Sequence, residues 1–313
     1  MKILVTGGAG FIGSHLIEAL IGYGHEVSTI DALVPELYPK QRKLLNWENL
    51  GQLNRPPERI LFDLRNYVDP VLVADYDYIY HLAAMPGLSL SWEDSKLYID
   101  SNLLATSNLL KACNPLTLKK FIYVSTSSVY GKTINGDETS GVKPVSPYGV
   151  TKLAAEKLVE AYSISTGLSY SIIRPFSVYG PRQRDDMAFH IFIEKMLQGK
   201  EISVFGDGRQ SRTNTYVSDL VLGLTSAMVK SKNGHIYNLA GNQQVSVNEI
   251  LQTLQLLLGV KARVKFMPGR LGDQQETYTA STKAREHLGF SPKESLQSGL
   301  LKQITWQKNL SRA

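Results

Sequence analysis

The chain has 313 residues, 43% hydrophobic and 20% charged, with a formal net charge of +6. That balance is ordinary, and the length allows a large buried core in one or two domains. The basic residues are scattered, with clusters no denser than Lys40-Gln-Arg-Lys43 and Lys119-Lys120, so nucleic acid is not an expected partner and an anionic small molecule is a better one.

The first apolar run, Ile3-Leu4-Val5, has the β-branching of a buried strand, predicted over Lys2–Val5. It breaks at Gly7-Gly8-Ala9-Gly10-Phe11-Ile12-Gly13, and a helix predicted over Phe11–Gly22 follows, with Ile12, Leu16, Ile17, Ala19 and Leu20 as its apolar stripe. Strand, glycine turn and helix start make a dinucleotide cradle. The glycines let backbone approach the pyrophosphate, and the helix N-terminus offers it free N–H groups. Gly7, Gly10, Phe11, Ile12 and Gly13 are therefore candidate cofactor contacts; the bland alternative is an ordinary strand–helix turn. The next strand, Glu26–Ile30, ends at Asp31, where a carboxylate would bond the adenosine ribose hydroxyls and repel the extra phosphate of NADP. NAD is the expected cofactor.

Further strands are predicted over Arg59–Phe62, Tyr78–Leu82, Lys119–Ser125 and Ser169–Ile173, and helices over Leu97–Cys113 and Tyr148–Thr166. Alternation of this kind predicts an α/β fold, a Rossmann-like doubly wound parallel sheet spanning residues 1–174, with ligands at the strand C-terminal ends. Cys113 is the single cysteine, which excludes an internal disulfide; it reads as a small core residue. The six histidines show no metal-ligand spacing, so no metal is expected.

After the fifth strand comes Ser125-Thr126-Ser127-Ser128-Val129-Tyr130-Gly131, and then Pro147-Tyr148-Gly149-Val150-Thr151-Lys152 opens a helix. Tyr148 and Lys152 are four apart and share a helix face. A tyrosine titrates near 10 unaided. A nearby ammonium and a positively charged nicotinamide would favour its phenolate and make it an acid/base at neutral pH. The Thr126 hydroxyl could hold the substrate oxygen in line.

From Arg174 onward Pro and Gly become frequent, and shorter helices are predicted over Phe189–Leu197, Asp219–Val229, Val247–Leu258 and Leu296–Lys308. Residues 175–313 are expected to form a smaller C-terminal substrate-binding lobe, with segments returning to the first domain.

Together these motifs resemble the extended short-chain dehydrogenases/reductases, specifically the nucleotide-sugar epimerases and dehydratases. The resemblance runs over nearly the whole chain. Its carriers are Thr6–Ser14, Asp63-Leu64, His81-Leu-Ala-Ala84, Ser125–Gly131, Tyr148–Lys152, Arg174-Pro-Phe-Ser-Val-Tyr-Gly-Pro-Arg182, Phe205-Gly-Asp-Gly208 and Arg270-Leu-Gly-Asp273. It implies that Asp63 and Leu64 flank the adenine, that Leu82, Ala83 and Ala84 run along NAD, and that Pro175 to Ser177 lie near the nicotinamide. It also implies a nucleoside diphosphate sugar in the second lobe. Arg212 and Arg270 would lie near the diphosphate and Phe205 near the base, with Phe189 and Asp273 among the other substrate contacts.

Sugar 4,6-dehydratases carry Asp-Glu at the positions of Ser127 and Ser128, and uronic acid decarboxylases carry Glu at the second. Two hydroxyls cannot replace those carboxyl groups, which favours 4-epimerization. The segments around Ser177 and Arg184, with Met187-Ala-Phe-His190, are most similar to UDP-glucuronic acid 4-epimerases. In those enzymes the hydroxyls matching Thr126, Ser127, Ser128 and Ser177, and the arginine matching Arg184, line the sugar pocket. The chain departs from the pattern at Ser89, where uronate epimerases usually have arginine, at Arg212-Thr213-Asn214, and at Ala280. The expected enzyme is an NAD-dependent UDP-sugar 4-epimerase working through a 4-keto intermediate, with UDP-glucuronate favoured. Alternatives are a neutral-sugar 4-epimerase, a 4-ketoreductase, and a non-enzymatic NAD sensor, which typically lacks the Tyr or Lys. A homodimer is expected. No membrane partner is: no run reaches the roughly 18 apolar residues of a span, and glycines interrupt the N-terminal apolar run. A cytoplasmic location is expected.

Overall fold

Seven strands lie side by side, all parallel: β1 (Lys2–Thr6), β2 (Glu26–Asp31), β3 (Glu58–Leu61), β4 (Tyr78–His81), β5 (Lys120–Val124), β6 (Tyr170–Pro175) and β7 (His235–Leu239), in the order β7-β6-β5-β4-β1-β2-β3. The computed structural model describes residues 1–36, 39–269 and 275–310, and of 133–135 the backbone path. The central strands are covered on both faces, as parallel strands must be: Ile3, Leu4, Val5, Ile79, Phe121 and Ile122 are fully buried. The strand order reverses between β1 and β4, and the crevice beyond their C-terminal ends is where such sheets take ligands.

The helix α1 (Phe11–Gly22) follows β1 and presents Leu16, Ile17 and Leu20 to the sheet. α2 (Lys40–Gly51) was not apparent from periodicity, because it buries only Asn46 and Leu50. α3 (95–112) passes from α-helix through a π-helical stretch at Ile99–Leu104 and back. That wider turn holds Asn102, whose amide accepts from the Met85 N–H at 2.7 Å and donates to the Met85 carbonyl at 3.1 Å and to Thr151 at 3.0 Å. α4 (Pro147–Thr166) has a sequence-encoded start and stop. The Ser146 hydroxyl accepts from the Gly149 N–H at 3.1 Å, Pro147 occupies the first turn, and Gly167 ends the helix at φ +78°.

Beyond β6 come α5 (Ala188–Leu197), α6 (Val217–Lys230), α7 (Val247–Leu258), α8 (Thr282–Leu288), also not foreseen, and α9 (Leu296–Leu310). α6 and β7 belong to the main layers: Leu220 and Leu224 share a core with Leu16 and Leu20, and β7 pairs with β6. The rest of the second half builds small sheets. One runs Gln244–Ser246, Ser211–Thr213, Glu276–Tyr278, Thr133–Asn135, so a strand from the loop after β5 is paired into the second half. Cys113 is half-buried just past α3; burial pushes its thiol up to about 12, so it is an inert packing group. Among the described residues no helix is long and apolar enough to cross a membrane.

Candidate active site

A cleft of about 400 Å³ follows the C-terminal ends of the strands. At one end it is lined by Gly7, Gly10, Phe11, Ile12 and Gly13. Gly7 sits at φ +78°, and its N–H reaches the Ile30 carbonyl at 2.7 Å while its own carbonyl accepts from Gly10 at 3.1 Å. A Cβ on Gly13 would lie 2.2 Å from the Gly7 oxygen. This close backbone packing, with no side-chain cap on α1, leaves N–H groups facing the cleft, a fit for a pyrophosphate.

Asp31 ends β2 there. Its carboxylate accepts from Ala9 N–H at 3.0 Å and Leu33 N–H at 2.8 Å. Burial pushes its pKa up, opposed by the Lys43 ammonium and these N–H bonds. It is anchored on two sides and lines the cleft, as a ribose ligand should. Asp63 and Leu64 line it too. Burial works to raise the Asp63 pKa, but hydrogen bonds from Arg65, at 2.6 Å for the closest, hold it below the usual range. Leu82, Ala83 and Ala84 continue the wall, and Ala83 N–H donates to Thr6 Oγ1 at 3.1 Å. Behind them His81 is clamped between Thr6, 2.7 Å from Nδ1, and Thr106, 2.9 Å from Nε2. Burial, helped by the Lys152 charge, takes its pKa down to about 3, so it is neutral.

The other end gathers Thr126, Ser127, Ser128, Tyr148, Lys152, Pro175, Ser177, Arg184 and Arg212. Thr126 Oγ1 accepts from the Ser128 N–H at 3.1 Å, fixing the turn that carries the hydroxyls. Tyr98 packs edge-on against Tyr148 with centroids 6.1 Å apart. The Tyr148 pKa is raised by burial, with the Thr126 hydrogen bond and the Arg184 charge pulling it down. Burial outweighs these partners, so the chain's own groups alone leave the phenol above its ordinary value; the expected lowering combined the Lys152 ammonium with the positive nicotinamide of bound NAD. Lys152 donates to the Val124 carbonyl at 2.8 Å and sits 4.2 Å from the Tyr123 ring centroid. Burial brings its pKa down to about 7, with Glu156 opposing.

Two aromatic candidates do not line the cleft. Phe189 packs in the core, 5.2 Å from the Tyr179 ring, because the apolar face of α5 turns inward. Phe205 ends the strand Glu201–Phe205, which pairs with Arg263–Met267. Arg270 and Asp273 lie outside the described residues. Arg184 is gripped by Asp186 through two bonds of 2.9 and 3.0 Å, a pairing no motif revealed. Lys43, Arg65 and the loop Met85–Leu88 also line the cleft. Lys43 and Arg65 carried no spacing signal, and the loop was visible only as a neighbour of Ser89. Among the described residues no group of three or more metal-type ligands comes together.

The chain can now be set beside known proteins. A UDP-glucuronic acid 4-epimerase from Bacillus cereus, solved with UDP-glucuronic acid and NAD, is 40% identical; the match covers 99% of this chain and 100% of that one, with a TM-score of 0.95. An uncharacterized UDP-glucose epimerase of Bacillus subtilis is 41% identical, covering 99% of each chain. A UDP-glucuronate 4-epimerase of Thermodesulfobacterium geofontis is 34% identical over 97% of this chain and 95% of its own. The profile of the NAD dependent epimerase/dehydratase family matches residues 3–240, from β1 through β7, and the chain belongs to that family.

Proposed function

We propose that this protein is an NAD-dependent UDP-sugar 4-epimerase that interconverts UDP-glucuronate and UDP-galacturonate through a transient 4-keto sugar. One observation carries it: Thr126, Tyr148 and Lys152 share a cleft with the hydroxyls of Ser127, Ser128 and Ser177, and with the glycine cradle and Asp31 at its far end. The names of the similar proteins agree with it.

Gly7, Gly10 and Gly13 would hold the cofactor pyrophosphate, Asp31 the ribose, and Asp63 and Leu64 the adenine. When bound, NAD supplies a hydride acceptor and donor at carbon 4. The Tyr148 oxygen takes the 4-hydroxyl proton and later returns it. Thr126, which lines the cleft beside that oxygen, aligns the sugar hydroxyl. Lys152, held by the Val124 carbonyl, brings positive charge beneath the site when protonated. Ser127 and Ser128 can hold a carboxylate by hydrogen bonds without neutralising it, which discourages its loss from a 4-keto sugar. Arg212 would meet the diphosphate.

A neutral UDP-hexose is the second reading. It is favoured by the Asp186 carboxylate already paired with Arg184 and by Ser89 in place of an arginine. A homodimer is the expected assembly, since Ile99 and Leu104 on α3 and Val150 on α4 expose apolar surface on helices that pack together; sedimentation would test it. We also infer a cytoplasmic location, which cell fractionation would test.

The deciding experiment incubates the purified protein with UDP-glucuronate and UDP-glucose, without added cofactor, and reads carbon-4 configuration by NMR. UDP-galacturonate should form, with a higher kcat/KM than for UDP-glucose. The reverse order overturns the uronate assignment and leaves 4-epimerization standing. No turnover of any UDP-sugar overturns both.

A further inference from the structure

Beneath the Tyr148–Lys152 pair lies a charged group with no role in the reaction described above. Glu156 is fully buried, one turn along α4 from Lys152 and on the same face. A carboxylate in such a place is costly unless it is well bonded. It accepts from the Ser125 hydroxyl at 2.5 Å and takes a two-point grip from Arg174, at 2.9 and 2.6 Å. Arg174 is itself buried on β6 and rests on the Tyr130 ring, 4.7 Å from its centroid. Tyr130 in turn donates to Asn238 on β7 at 2.8 Å.

The placement relative to the reaction centre is specific. Lys152 is tied to the carbonyl of Val124, and Glu156 is tied to the side chain of the next residue, Ser125. The residue after that is Thr126. One helix face therefore grips the end of β5 at two successive residues, immediately before the Thr126 hydroxyl that shares the cleft with Tyr148.

We propose that Glu156 is a positioning residue of the reaction centre, whose buried carboxylate, one helix turn from Lys152, favours the charged form of that side chain and seats the strand end that presents Thr126. The proposal rests on the assignment of Lys152 and Thr126 given above. The charged and titratable groups around Lys152 are few. Tyr148 and Glu156 lie on its own helix, the Tyr123 ring on β5, Arg174 on β6, and His81 on β4. His81 is neutral, and Arg174 spends its two-point grip on Glu156. Burial alone drives Lys152 toward the free amine, and the Glu156 charge is the one that opposes it. An unpaired Arg174 would work the other way, against a second cation.

The test reads Lys152 directly, without substrate. Protein carrying 13C-labelled lysine is titrated by NMR, with the Lys152 signal assigned through Lys152→Arg. Glu156→Gln should lower the midpoint of that signal by about one pH unit or more, a tenfold smaller ammonium-to-amine ratio at a fixed pH. Glu156→Asp keeps the charge but draws it back by one methylene, so it should shift the midpoint less; it also serves if the glutamine variant does not fold. Arg174→Gln breaks the same ion pair but leaves the carboxylate, so the midpoint should stay or rise. In the turnover assay, the Glu156→Gln loss should grow as pH rises and shrink as it falls. An unmoved midpoint in both Glu156 variants, or an equal downward shift in Arg174→Gln, overturns the proposal and marks the pair as structural. Neither result depends on which sugar is turned over.

Discussion

Adding one methyl group at Gly13 tests the cofactor cradle. A Cβ there would stand 2.2 Å from the Gly7 carbonyl oxygen and 3.0 Å from both Gly7 C and Gly8 Cα. These are backbone atoms, so no side chain can swing away. Gly7 cannot easily retreat, because its φ of +78° and its bond to the Ile30 carbonyl hold it against β2. The turn must open by about an ångström, and overpacking of that kind typically costs about 1–3 kcal/mol. If the displacement falls on the phosphate-facing N–H groups, Gly13→Ala should weaken NAD by roughly ten- to a hundredfold, at about 1.4 kcal/mol per tenfold. Gly22→Ala, in the same helix with nothing within 4 Å of the new carbon, is the matched control and should bind normally. Calorimetric titration with NAD, beside thermal melts of both variants, gives the answer. Wild-type affinity and melting in Gly13→Ala would show that the turn is not packed as described.

Tyr148→Phe should lower kcat at least ~100-fold, the low end for a general acid–base group, while NAD still binds by calorimetry; near-normal turnover would remove Tyr148 from the chemistry. Asp31→Ala should narrow the preference for NAD over NADP, since the anchored carboxylate proposed to meet the ribose is lost, and competitive binding of the two cofactors would measure it. Acid should destabilise the fold through His81. Its folded pKa of about 3 lies below its ordinary 6.5, so between those values the unfolded chain binds a proton the native one does not. Stability is then lost as pH falls from 6.5 toward 3, by at most about 5 kcal/mol at about 1.4 per pH unit. Urea unfolding at pH 7, 5 and 4 should show a shallower decline in His81→Asn than in the wild type.

Features with a strong local cause were legible in the sequence. The run of β-branched residues before Gly7, and the stripe Leu16, Ile17, Leu20, announce β1 and α1 because burial and periodicity coincide there. Pro147 marks the start of α4, and the four-residue spacing places Tyr148 and Lys152 on one face. α2 was illegible because a helix held by Asn46 and Leu50 alone carries no stripe. Phe189 packs in the core, and an aromatic in a motif does not say which way its helix turns. The grip of Asp186 on Arg184 and the effect of burial on Tyr148 come from tertiary surroundings, which spacing does not record.

The return of α6 and β7 to the first layers bears on how such a chain can be inherited and altered. A fragment cut after Arg174 would leave β6 as an open edge, with a row of unpaired N–H and C=O groups inviting aggregation. It would also strip Leu220 and Leu224 from the face of α1. The two halves are thus not exchangeable cassettes. A change of sugar would have to come through substitutions at the strand ends that carry Ser127, Ser128 and Ser177 and in the loops around them, with the woven framework passed on whole.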